Sequence, residues 1–134
     1  MAARDTRPAP AIVWFRDDLR LHDHPALTAA AKTGAPLVCL YVLDEESRGV
    51  RPFGGASRWW LAQSLRALDE GLRQHGQRLV LRRGAAAGIV SQVAREIGAE
   101  RVHWNRRYDQ PGRDVDAQVI DALKADGIGG STFA

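Results

Sequence analysis

Lysine is nearly absent from this chain, cysteine occurs once, and no apolar run approaches a membrane span. Each scarcity excludes something. A spanning helix needs about 20 consecutive apolar residues, so no membrane association is expected. Cys39 cannot form an internal disulfide, which rules out a disulfide framework and fits a reducing cytoplasm. Within its apolar run it reads as a small buried hydrophobe. Lys32 and Lys124 are the only lysines, so the basic charge is arginine. Arginine suits bidentate phosphate or carboxylate contacts, although a compositional bias of the source genome explains the pattern equally well. A net charge of +3 is too mild to argue nucleic-acid binding by itself. No G-x-G-x-x-G, no P-loop and no G-x-S-x-G elbow is present, which removes the common dinucleotide, nucleotide and hydrolase fingerprints. His22, His24, His75 and His103 make no metal-ligand spacing with Cys39, so no metal is expected.

What is present alternates strand and helix. A chain of 134 residues suits a single domain, expected over 11–134, behind a flexible tail over 1–10 that lacks the apolar core of a signal peptide. Ala11 to Phe15 is a short apolar strand. Asp23 or His24 can cap a helix with Pro25 in its first turn, Ala26, Leu27, Ala30 and Ala31 inward, and Gly34 as its stop. Pro36 to Leu43 is apolar throughout, the mark of a parallel strand covered on both faces. After a polar loop, Asp44 to Gly55, Ser57 is the expected N-cap of a helix from about Arg58 to His75, with a stripe of Leu61, Leu65, Leu68 and Leu72. Trp59 and Trp60 diverge by about 100° on that helix, so one is expected to join the stripe and the other to lie at its margin. Arg78 to Arg82 reads as a third strand and Arg101 to Asn105 as a fourth. Ile89, Val90, Val93 and Ile97 mark one helix, and Val115, Val119 and Leu123 another. The glycine-rich ending from Ile128 makes only a weak fifth strand. The fold class is therefore α/β: a doubly wound, Rossmann-like parallel sheet of five strands with helices on both faces.

The charged clusters fall just after strands: Arg16, Asp17, Asp18 and Arg20 after the first, Asp44 to Arg48 after the second, Asn105 to Asp109 after the fourth. With the common strand order 3-2-1-4-5, the first and fourth strands neighbour each other, and their clusters flank one crevice at the carboxyl edge. Loops are polar simply because they are wet, so topology alone leaves the site reading and that plainer one evenly matched. Asp17 and Asp18, adjacent and flanked by arginines, suit ion pairing better than paired-carboxylate catalysis.

Four stretches add a spelling. Trp14-Phe15-Arg16-Asp17-Asp18-Leu19-Arg20 with His22-Asp23-His24-Pro25-Ala26-Leu27 resembles the W-F-R-x-D-L-R-x-x-D-N-x-A-L opening of the DNA photolyase/cryptochrome family. Leu40 to Asp44, Ser57 to Leu68, and Trp104 to Asp109 with Arg113 and Asp116 continue the resemblance in order and spacing. It implies the N-terminal α/β, antenna-binding domain of a deoxyribodipyrimidine photolyase. There an antenna pigment passes blue-light energy to a reduced FAD, which splits cyclobutane pyrimidine dimers in DNA. It also implies that the FAD and the dimer cavity belong to a C-terminal helical domain not contained in these residues. This chain alone is then expected to be inactive, and the full-length protein a cytoplasmic monomer acting on damaged DNA. By the same resemblance, the antenna pocket involves Tyr41, Val42, Leu43, Asp44, Arg58, Asn105 and Arg107. Pro111-Gly112 stands where folate-binding members carry an Asn-Glu pair, so the resemblance favours a deazaflavin over folate and leaves room for a flavin. Two other readings stand beside it: a cryptochrome-type blue-light photoreceptor domain, and a stand-alone nucleotide-binding or interaction module without photochemistry.

Overall fold

The computed structural model describes residues 9–49 and 54–134. Most of the expected tail, and residues 50–53 of the polar loop, lie outside the described residues. The chain alternates strictly: β1 (Ala11–Phe15), α1 (Pro25–Lys32), β2 (Leu37–Leu43), α2 (Gly55–Arg73), β3 (Leu79–Arg83), α3 (Ala86–Ile97), β4 (Arg101–Asn105), α4 (Gln110–Ala125) and β5 (Gly129–Phe133). The five strands form one sheet in the order β3-β2-β1-β4-β5, every pair parallel. Chain direction across the sheet reverses at β1, so the loops after β1 and β4 diverge to opposite sides and leave a crevice between them.

Alternation along β1 splits its side chains between two cores. Ile12 and Trp14 join Leu40, Val42, Val102 and Trp104 against α3 and α4, through Val90, Val93, Val115, Val119 and Leu123. Val13 and Phe15 join Cys39 on the other face, against Ala30, Leu68 and Leu72 of α1 and α2. All five β1 residues are buried, as a central parallel strand requires. Trp14 and Trp104 pack with ring centroids 5.5 Å apart, tilted by 58°. Losing a buried indole of this kind costs about 3–5 kcal/mol.

Several local expectations are corrected. Helix α2 begins three residues before Arg58, and Gly54, extended at φ −74° and ψ 172°, takes the cap position given to Ser57. Glycine needs no side-chain bond to serve there. Ala31 is exposed: on so short a helix Ala26 and Ala30, four apart, share the inward face, and Ala31 is rotated off it. Both indoles of α2 are solvent-facing, Trp59 58% and Trp60 65% exposed, and they meet each other edge-on at 5.2 Å instead of entering the leucine stripe. The glycine-rich β5 forms in register with all of β4. A Cβ at Gly130 would stand 3.0 Å from the Trp104 ring, so the missing side chain lets that ring lie over the edge strand.

Candidate functional site

The crevice is built from the carboxyl ends of β1, β2 and β4. Beyond Phe15 the Arg16 N–H donates to Asp18 Oδ1 at 2.8 Å, which turns the chain back over the sheet. Asp18 Oδ2 receives His24 Nε2 at 2.9 Å and also the Asn105 side-chain amide. His24 is buried and caps α1, its Nδ1 accepting from the Leu27 N–H at 3.0 Å. Nδ1 therefore carries no proton in this arrangement, and Nε2 is the donor to Asp18. Asn105 Oδ1 accepts from the Ala26 N–H at 3.0 Å, which orients its amide nitrogen toward Asp18 in the same way. Every contact on Asp18 is a donor, and one carboxylate ties the β1 loop, the start of α1 and the end of β4 together. Burial by itself would raise the Asp18 carboxyl. The hydrogen bonds from His24, the Arg16 backbone and Asn105 outweigh it and hold the group down at about 2.

A second set of ties joins β1 to α4. Arg16 pairs with Asp116, and both are largely buried. Burial pushes the Arg16 guanidinium down and the Asp116 carboxyl up, each against the attraction of its partner. This pair thus serves position more than stability. The Arg16 guanidinium lies 4.6 Å from the Trp14 ring centroid, over its face. Arg107 bridges Asp17 and Asp109, the latter at 3.0 Å. Asp109 caps α4 through the Gly112 N–H. A Cβ at Gly112 would collide with the Arg107 and Asp109 side chains, so glycine is required for this loop to fold so tightly.

Between these walls lies a cavity of about 280 Å³. Trp14, Phe15, Tyr41, Val42, Pro111 and Val115 give it an aromatic and aliphatic lining. Arg16, Asp17, Asp44, Arg107 and Asp109 supply charge. Apolar walls with a few convergent polar groups are what a planar organic ligand needs. Asp44 is engaged internally: it accepts the Glu46 and Ser47 N–H groups, the Ser47 hydroxyl and, at 3.0 Å, the Ala86 N–H that opens α3. Burial, and then the negative charge of Asp17 and Glu45, pushes the Tyr41 phenol up to about 12. A larger cavity, about 500 Å³, opens beside Leu37, Val38 and Val80, toward the amino ends of β2 and β3. Doubly wound sheets bind ligands at the other edge, so the smaller cavity is the candidate site.

Of the residues expected at the pocket, Tyr41, Val42, Asp44 and Arg107 line this one cavity. Asn105 lines an adjoining pocket that shares Arg16, Asp17 and Arg107 with it. Leu43 and Arg58 are not among the lining residues, and Arg58 donates from Nη2 to both Glu45 oxygens at 2.8 and 2.7 Å. Sequence reasoning put Arg16 and Asp17 at the crevice through the cluster after β1, but missed Trp14, Phe15 and Val115 as wall residues. Trp14 and Phe15 stand in the opening motif and could have been found there. Of the α4 residues, Pro111 and Gly112 entered only in weighing folate against a deazaflavin, and Val115 gave no signal, because its approach depends on how tightly the Gly112 turn closes.

Comparison with known proteins matches this architecture. The family model for DNA photolyase matches residues 11–134. A deoxyribodipyrimidine photo-lyase of Agrobacterium fabrum is 45% identical over 128 residues, covering 96% of this chain and 26% of that protein. Cryptochrome-1 of Arabidopsis thaliana is 39% identical over 124 residues, covering 92% of this chain and 18% of that protein. The crystal structure of a bacterial class III photolyase from Agrobacterium tumefaciens superposes with a TM-score of 0.86 at 43% identity, covering 98% of this chain and 27% of the other. The chain thus spans about a quarter of the length of the photolyases it matches.

Proposed function

The chain belongs to the DNA photolyase family, and from that premise we propose that it is the antenna-chromophore domain of a light-driven, dimer-repairing deoxyribodipyrimidine photolyase. The observation that carries this reading is the cavity at the carboxyl edge, where aromatic walls and two arginines converge between β1, β2 and β4. When bound there, a blue-absorbing pigment would supply excitation energy. Tyr41, Val42, Trp14 and Pro111 would hold its ring system and exclude water, while Arg107, fixed by Asp17 and Asp109, would face its polar substituents. Asp44 holds the wall by anchoring the β2 loop to α3. Arg58 would act at the rim through Glu45. A deazaflavin or a flavin suits these residues. The FAD, the helical domain around it and damaged DNA would be the partners of this domain in the full-length protein. No described helix is long and apolar enough to cross a membrane.

The match to a plant cryptochrome supports a second reading, the same domain in a blue-light photoreceptor. Both readings share the pigment seat. The test is the absorption spectrum of the protein isolated from its native host. A near-ultraviolet or blue band that is lost in Arg107→Ala, with folding intact, supports the seat. A colourless preparation from that host, or a band unaffected by Arg107→Ala, contradicts it.

A further inference from the structure

Away from the crevice, the sheet has an edge whose chemistry the pigment seat does not use. β3 is an end strand, paired with β2 on one side only. The Gly84 N–H reaches the Leu43 carbonyl at 3.1 Å. By strand alternation the backbone groups of Val80 and Arg82 then address β2, while those of Leu79, Leu81 and Arg83 point outward. Two of the outward groups are already occupied. Asp69 Oδ1 accepts the Leu79 N–H at 2.9 Å, and Arg82 Nη1 donates to the Leu81 carbonyl at 2.9 Å. The Leu81 and Arg83 N–H groups bond to no other described residue.

Side chains along this edge run Arg78-Leu79-Val80-Leu81-Arg82-Arg83, three apolar residues between arginines. Leu81 is 53% exposed, although it is aliphatic. Val80, on the opposite face of the strand, borders the cavity of about 500 Å³, whose apolar walls include Val38, Val93 and Ile97. Arg78 and Arg82 line that cavity as well, against Glu96 as the one acid among its described lining residues. Arg82 and Arg83 form no ion pair among the described residues. Arg78 lies in the field of Asp69, whose carboxylate is paired with Arg73. A second copy of the chain does not suit this edge, because pairing β3 with itself would set arginine against arginine.

We propose that the β3 edge docks an extended acidic segment of a partner protein, apolar at its centre and flanked by carboxylates, which adds to the sheet as a further strand. Its backbone pairs with the outward groups of Leu81 and Arg83. Its apolar side chains cover Leu81 on one face and enter the cavity beside Val80 on the other. Its carboxylates meet Arg78, Arg82 and Arg83, and an incoming N–H takes over the Leu81 carbonyl from the Arg82 guanidinium. The pigment seat plays no part in this contact.

The test titrates the isotopically labelled protein with capped peptides. One carries three valines between pairs of glutamates, a second replaces every glutamate by lysine, and a third is the glutamate peptide N-methylated at its valines. The glutamate peptide should bind about tenfold more tightly than either relative, its lead over the lysine peptide shrinking as salt rises. At saturation, hydrogen exchange of the Leu81 and Arg83 amides should slow by about tenfold or more. Arg78→Gln and Arg83→Gln should each weaken the glutamate peptide about threefold, and together about tenfold. Lys124→Gln, on α4 toward the opposite end of the sheet, should leave its affinity unchanged. Failure of the glutamate peptide to bind at about 1 mM overturns the proposal. Equal binding of the lysine peptide removes the charge complementarity, and equal binding of the N-methylated peptide removes strand addition; either result overturns it. A single-stranded oligonucleotide that binds more tightly than the glutamate peptide, and weakens in the same variants, assigns the arginines to nucleic acid and overturns it too.

Discussion

Asp18→Asn changes one oxygen to an amide nitrogen, and the structure predicts a large cost from that exchange. His24 must donate from Nε2, because its Nδ1 accepts from Leu27. Asn105 must donate from its amide, because its oxygen accepts from Ala26. The Arg16 N–H donates as well. An asparagine at position 18 offers one acceptor to three donors and turns a donor of its own toward two of them. The carboxyl is held at about 2 in the folded protein against 3.8 ordinarily, which corresponds to about 2.5 kcal/mol of folding stability once the pH is well above both values. An unsatisfied buried donor adds about 1–3 kcal/mol, with part of this overlapping the first figure. The expected loss near neutral pH is therefore about 2–4 kcal/mol, a large share of the roughly 5–15 kcal/mol that holds a domain together. The sign with pH follows from the depressed value. The contribution is fully present above about pH 4 and is lost as the pH falls through about 2. Urea unfolding of the wild type and of Asp18→Asn, measured across that range, should show a gap that is constant at neutral pH and closes in acid. A variant within about 0.5 kcal/mol of wild type, or a gap independent of pH, refutes the directional network.

Three further outcomes are expected. Gly112→Ala forces a Cβ into Arg107 and Asp109 and should destabilise the protein by about 1–3 kcal/mol in thermal unfolding while weakening pigment binding in equilibrium titration. Tyr41 should ionise near pH 12, so an alkaline spectrophotometric titration shows a late phenolate component that Tyr41→Phe removes; stability from the neutral phenol is present below about pH 10 and is lost as the pH rises toward 12. Trp59→Ala and Trp60→Ala should each cost less than about 1.5 kcal/mol in urea unfolding, because both indoles are largely exposed and their ring pair is an edge-on surface contact.

Much of the fold was legible because burial writes itself into the strands. β2 is apolar at every position, and Val115, Val119 and Leu123 repeat at helical spacing, so strand, helix and buried face follow from period alone. Part of the site was legible for a topological reason: Tyr41, Asp44 and Arg107 stand at or just past strand ends, and strand ends share one edge. The proton directions around Asp18 were not, since they depend on which atoms of His24 and Asn105 the α1 backbone occupies. The Trp59–Trp60 pair misled because an apolar side chain on a helix is read as inward, whereas these two lie beyond the inward-facing part of the leucine stripe. In β5 glycine weakens the intrinsic strand preference, and packing beneath the Trp104 ring overrides it.

Chemical-shift mapping of the isotopically labelled protein, titrated with flavin mononucleotide and with a deazaflavin, tests the pigment seat most directly. The account predicts that the shifts gather at Trp14, Tyr41, Val42, Arg107 and Gly112, with little change at Leu37 and Val80. Shifts gathered around Leu37 and Val80, or along the exposed indoles of α2, would place the ligand elsewhere and contradict it.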